Sequence, residues 1–150
     1  MIRIEQEVLI ERTPAEVYAF MADVGNLTRW QSGAIQAELI SDPPLREGSR
    51  FSEVVRVGPW KVRTQCQVTD LQPAAVFAFE AMSKPIDYAG SFRFRAEADG
   101  TRLSLRAVVQ LKGFWRLVGP LLAGDLKKEA KAELETIRRI LQTDPVAQPR

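Results

Sequence analysis

Few side chains in this sequence can move protons or hold metals, and that scarcity narrows its chemistry. There is no histidine and a single cysteine, Cys66. A Ser-His-Asp triad, a Cys-His pair, a thiolate cluster and any histidine-based metal centre are therefore excluded. Neither a metal site nor a cofactor is expected, and any catalysis must use carboxylates, Tyr, Lys, Arg, Ser or Thr. Two glutamates interrupt apolar runs: Glu53 between Phe51 and Val55, and Glu80 between Ala78 and Met82. A carboxyl turned into a core loses hydration, so its pKa rises and it becomes a candidate acid or base. The opposite face of each run is also partly apolar, with Val54 in one and Phe77 and Phe79 in the other. The pattern leaves both directions open, and solvent is the commoner place for a glutamate. Thr64, Cys66 and Tyr88 fall on apolar strand faces, where each could orient a ligand's polar group or sit as a satisfied core residue. For Cys66 the core reading is preferred, because a free cysteine packs like a small hydrophobe.

The elements that must position these residues follow from periodicity. Ile2, Ile4, Gln6, Val8 and Ile10 alternate with Arg3, Glu5, Glu7 and Glu11, a strand with one solvated face. Thr13-Pro14-Ala15-Glu16 combines an N-cap, a proline at the first helical position and an acid at the third. The short helix it opens carries Val17, Tyr18, Phe20 and Met21, stops at Gly25-Asn26, and leads to a second turn of helix ending near Trp30. Six further strands are predicted at 35–40, 49–57, 60–71, 76–82, 86–96 and 101–111, joined by turn signals such as Gly58-Pro59 and Asp99-Gly100. Strands this two-faced, linked by short turns, imply an antiparallel meander. The period then changes: Val118, Leu122, Leu126, Ala130, Leu134, Ile137 and Leu141 mark a long amphipathic helix. Gly119-Pro120 either kinks that helix or marks the start of its regular part.

A composition of 45% apolar and 27% charged residues fits one globular domain rather than a disordered chain. That domain is expected over 1–141, with 142–150 as a flexible tail. Lys and Arg number 21 against 19 Asp and Glu and are scattered, so no nucleic-acid partner is expected. The charged N-terminal strand lacks the apolar core of a signal peptide, and no run is long enough for a bilayer. A cytoplasmic protein without stable membrane insertion, monomeric or homodimeric, is the expectation.

One apolar sheet face and one apolar helix stripe must cover each other. A broad antiparallel sheet curls, so a single helix fills only part of its concave side, and the segment from Thr13 to Gln31 is available as a lid. The space between is either a cavity or filled by Phe51, Phe77, Phe79, Phe92 and Phe94. Trp30 could cover the mouth or simply anchor the lid. Phe114-Trp115-Arg116-Leu117-Val118 could gate an opening, touch a membrane edge or form the core at the helix head. Arg93, Arg95, Arg102 and Arg106 are expected on the solvated convex face.

The stretch from Thr13 to Trp30, the turn Leu45-Arg46-Glu47-Gly48-Ser49-Arg50-Phe51 and the helical Leu126-Lys127-Lys128-Glu129-Ala130 resemble the START/Bet v1-like (SRPBCC) superfamily, within it the polyketide cyclase/dehydrase-like group. The resemblance implies an α+β helix-grip fold, in which a seven-stranded antiparallel sheet curves around a long C-terminal helix and two short helices follow the first strand. It also implies a cavity for a hydrophobic, lipid-like or polyketide-like molecule. Trp30, Thr64, Phe79, Tyr88, Phe92, Trp115, Val118 and Leu122 are the expected ligand-binding residues, with Glu53 and Glu80 as possible acid or base. Three functions compete: a carrier or sensor of an apolar small molecule, a cyclase or dehydratase using a pocket Glu or Tyr, and a protein–protein interaction module with a filled cavity.

Overall fold

The computed structural model describes residues 1–57, 59–83, 86–117 and 119–143, at 57, 60, 82, 83 and 86 by backbone alone. Strand β1 (Ile2–Ile10) leads into helix α1 (Pro14–Ala22), a single 3-10 turn (Val24–Asn26) and the one-turn helix α2 (Leu27–Trp30). There follow β2 (Ala34–Leu39), β3 (Arg50–Val57), β4 (Trp60–Gln72), β5 (Val76–Ser83), β6 (Ile86–Glu97) and β7 (Gly100–Leu111). A second 3-10 turn (Gly113–Leu117) precedes the long helix α3 (Gly119–Thr143). All seven strands join one antiparallel sheet in the order β1-β7-β6-β5-β4-β3-β2. Each strand from β2 onward pairs with its neighbour in sequence, and β1 closes on β7 from Ile2 opposite Val109 to Ile10 opposite Thr101.

Local chemistry shapes the lid. The Thr13 hydroxyl accepts the Glu16 amide at 3.3 Å with Pro14 heading the helix, so α1 starts where its cap dictates. The Asp23 carboxylate accepts the Gly25 amide at 3.0 Å, and the Asn26 side chain donates to the Phe20 carbonyl at 3.0 Å, fixing the turn between α1 and α2. Gly33 then brings the chain onto the sheet at φ 76°, where an added Cβ would lie 2.9 Å from the Arg56 carbonyl oxygen. Only glycine accepts both that conformation and that approach.

The core lies between the sheet and the second half of α3. Ala130, Leu134, Ile137 and Leu141, spaced four, three and four, are buried with Ile4, Ile10, Leu103 and Leu105. The first half of the helix behaves differently: Leu122, Ala123 and Leu126 are half-buried, whereas Leu121 is 79% exposed. The helix begins at Gly119 with Pro120 in its first turn, so that pair marks a start and not a kink. It continues to Thr143, two residues past the expected boundary; the remaining tail, 144–150, lies outside the described residues, as does Val118. Arg93, Arg95 and Arg106 are exposed on the outer sheet face. Arg102 there bonds Glu97 at 2.5 Å and Glu7 at 3.1 Å.

Candidate functional site

An aromatic wall stands on β5 and β6. Phe79 and Gly90 are cross-strand partners, and a Cβ at residue 90 would come within 3.0 Å of the Phe79 ring. Glycine there lets the Phe79 ring lie across β6 between Tyr88 and Phe92, meeting the first edge-on at 6.0 Å and stacking on the second at 6.0 Å. Trp30 of the lid meets Phe92 edge-on at 5.7 Å. Phe51 and Phe77 add further walls, with Met21, Val24 and Leu27 from the lid side. These side chains take up most of the space between sheet and lid and leave a cavity of about 30 Å³, room for one or two water-sized groups.

The polar content of that cavity is concentrated in three side chains, from β3, β4 and β6, and one from the lid. Glu53 points inward from β3 and is only 2% exposed. Its Oε1 accepts the Tyr88 hydroxyl at 2.9 Å, while its Oε2 is buried with no hydrogen-bond partner. Cys66 Sγ lies 3.8 Å from the same hydroxyl, and Gln31 also lines the cavity. Burial pushes the Glu53 carboxyl above the ordinary carboxylate range, partly offset by Gln31 and Tyr88, which favour its charged form. Burial and the nearby Glu53 charge push the Cys66 thiol up to about 12 and raise the Tyr88 phenol, so both stay protonated.

A second carboxyl lies near the site on α3, beside the lid loop and off the cavity wall. Glu133 Oε1 accepts the Ser32 amide at 3.2 Å, tying the helix to the loop that follows Trp30 and Gln31. Burial, Glu129 and Glu53 push Glu133 up to about 7. Glu129 is itself raised by burial and Asp125, so carboxyls at 125, 129 and 133 run along one face of the helix towards the lid.

Of the residues singled out in the sequence, Trp30, Phe79, Tyr88, Phe92 and Glu53 converge on this cavity. The two glutamates part company. Glu53 corrects the expectation of solvent, because β3 turns Phe51 and Glu53 to the same inner face opposite Cys66 and Thr64. Glu80 is exposed, because Phe79 and Phe77 take the inner face of β5. Thr64 is buried beside Glu53 but stands off the cavity wall, as do Trp115 and Leu122. Phe114 and Trp115 are 71% and 40% exposed in the 3-10 turn ahead of α3, neither a gate over the cavity nor core. Trp30 meets Phe92 edge-on, as an anchor of the lid to the sheet does, and its side chain lines the cavity. Sequence reasoning missed Gly90, Gln31 and Glu133; only the four-residue spacing of Asp125, Glu129 and Glu133 hinted at the last.

One antiparallel sheet packed against one long C-terminal helix, with short helices after the first strand, is the helix-grip fold. The chain belongs to the polyketide cyclase / dehydrase and lipid transport family, whose pattern it matches over residues 1–142. Its fold is similar to that of a protein from Thermus thermophilus, at 20% identity and TM-score 0.79, covering 95% of this chain and 99% of that one. It is also similar to the Zhui aromatase/cyclase of Streptomyces sp. R1128, at 17% identity and TM-score 0.76, covering 95% and 97% of the two chains. One half of the di-domain aromatase/cyclase BexL matches at 18% identity and TM-score 0.75, covering 97% of this chain and 48% of that one. At these identities the likeness is one of fold. No curated protein matches the sequence. Among the described residues no helix is long and apolar enough to cross a membrane, and no cluster of His, Cys, Asp and Glu could hold a metal ion.

Proposed function

We propose that this protein binds a hydrophobic small molecule between sheet and lid, with the molecule's polar group seated against Glu53. The observation that carries the reading is the buried Glu53 carboxyl, one oxygen engaged by Tyr88 and the other without a hydrogen bond in an aromatic-lined cavity where the Gln31 side chain is the neighbouring donor. A buried, unpartnered carboxyl oxygen is costly, and a ligand group that satisfies it recovers that cost. The cavity is the size of a polar head, so the apolar remainder of the ligand must displace or extend past neighbouring side chains. Purified gently, the protein is expected to retain a small molecule detectable by native mass spectrometry. Val24→Phe, which grows into the cavity, should release it; Leu122→Phe, off the wall, should not. A protein that retains nothing and takes up no phenol on titration would contradict the reading.

A second reading, cyclase or dehydratase chemistry, is favoured by the elevated pKa of Glu53, which suits a general acid. On a β-hydroxy carbonyl ligand, Glu53 gives its proton to the hydroxyl oxygen as the C–O bond breaks and water leaves. The proton lost from the adjacent carbon then returns to the Glu53 carboxylate. The family's description and the aromatase/cyclase neighbours support this direction without fixing a substrate. Glu53→Gln should abolish turnover of a confirmed substrate; undiminished turnover would remove Glu53 from the chemistry.

A further inference from the structure

We propose that the group this cavity selects is a cation, the ammonium head of an apolar amine held between the Glu53 carboxylate and the aromatic walls. The inference rests on the cavity being a ligand site and adds the class of ligand. With Glu53 Oε1 already accepting the Tyr88 hydroxyl, the unpartnered Oε2 calls for a donor, and a positively charged donor gives the strongest such bond. The surrounding charge points the same way. Glu133 faces the lid loop and senses Glu53, and Glu129 and Asp125 continue the acidic face of α3. The side chains acting on Glu53 and Glu133 are hydrogen-bonding neighbours and other carboxyls, and no Lys or Arg among the described residues lines the cavity. A carboxylate or sulfonate head would meet the like charge of Glu53, and the Trp30 indole N–H, itself buried without a partner, is a neutral donor that does not offset that repulsion. An ammonium would restore ionised Glu53 to a compensated state in a space lined by Trp30, Phe79 and Phe92, aromatic side chains that attract cations. The cavity volume of about 30 Å³ suits such a head and excludes a bulky one.

Three probes that share a ring and differ in their head decide the matter: benzylammonium, benzyl alcohol and benzoate. Each is titrated against the parent while the indole N–H signal of Trp30 is followed by NMR. The expected result is that the amine binds on the order of tenfold more tightly than the alcohol, and that benzoate does not bind. Amine affinity should rise as pH climbs through about 7, where Glu133 gives up its proton, with Tyr88 and Cys66 remaining neutral, whereas alcohol affinity stays level. Glu53→Gln should bring the amine-to-alcohol ratio close to one, and Glu133→Gln should lower it partway. If Glu53→Gln fails to fold, the pH series and Glu133→Gln decide the case. Benzoate or alcohol binding as tightly as the amine, or a ratio untouched by both variants, overturns the proposal while leaving a ligand site. Silence with all three probes overturns the site itself.

Discussion

Glu133 offers a stability test that can be worked from its surroundings. Its carboxyl accepts the Ser32 amide, yet burial and the nearby Glu129 and Glu53 push it from an ordinary 4.5 up to about 7. The folded protein therefore holds this proton more tightly than the unfolded chain. The resulting stabilisation is fully present below about 4.5 and is lost as pH climbs through about 7. At about 1.36 kcal/mol per pH unit, that interval is worth about 3 kcal/mol. Glu133→Gln keeps an acceptor oxygen for the Ser32 amide and removes the ionisation. It should match the parent at pH 4 and exceed it by about 2–3 kcal/mol at pH 8, roughly 4–12 °C in melting temperature for a chain of this size. Urea unfolding of both proteins at the two pH values measures the difference directly. A variant no more stable than the parent at pH 8 would show that Glu133 ionises without penalty, refuting its placement as a half-buried carboxyl among like charges.

Leu134→Asp places a charge in the α3–sheet core, where Leu134 is fully buried, and should cost at least about 4 kcal/mol, enough to unfold the domain. Lys131→Asp, on the exposed side of the same helix, should stay within about 0.5 kcal/mol of the parent in the same denaturation assay. Gly90→Ala forces the Phe79 ring aside and should cost about 1–3 kcal/mol, with a change in aromatic circular dichroism; an unaltered spectrum and stability would mean that the ring does not depend on that glycine. Cys66, buried and with its thiol held up to about 12, should resist thiol reagents at pH 8 in the native state and react quickly in denaturant. Rapid native labelling would mean that the cavity opens to solvent.

The strand pattern was legible where a strand alternates, as in Ile2 to Ile10, and the caps were legible because Thr13-Pro14-Ala15-Glu16 has one local meaning. The direction of Glu53 was not, since both faces of β3 carry apolar residues and only the pairing of Phe51 with Cys66 settles which faces inward. Glu80 fell the other way because Phe77 and Phe79 claim the inner face of the next strand. Helical periodicity found Leu134 and Ile137 but also extended the stripe to Leu122, where the helix has left the tightly packed core. Glu133 is one of three glutamates in α3, and its role emerges only when the helix packs beside the loop at Ser32. Periodicity reports which face is apolar; it does not report what the folded chain brings opposite.

The central claim is that the space around Glu53 receives a ligand, and the methyl group of Met21 is placed to report on it. Met21 lines the cavity, while Met1 is 77% exposed and serves as an internal control. In a methyl NMR titration with phenol, the Met21 signal should shift and saturate while Met1 stays still, and Val24→Phe should abolish the response. A Met21 signal that does not move while phenol perturbs other parts of the protein would contradict the account.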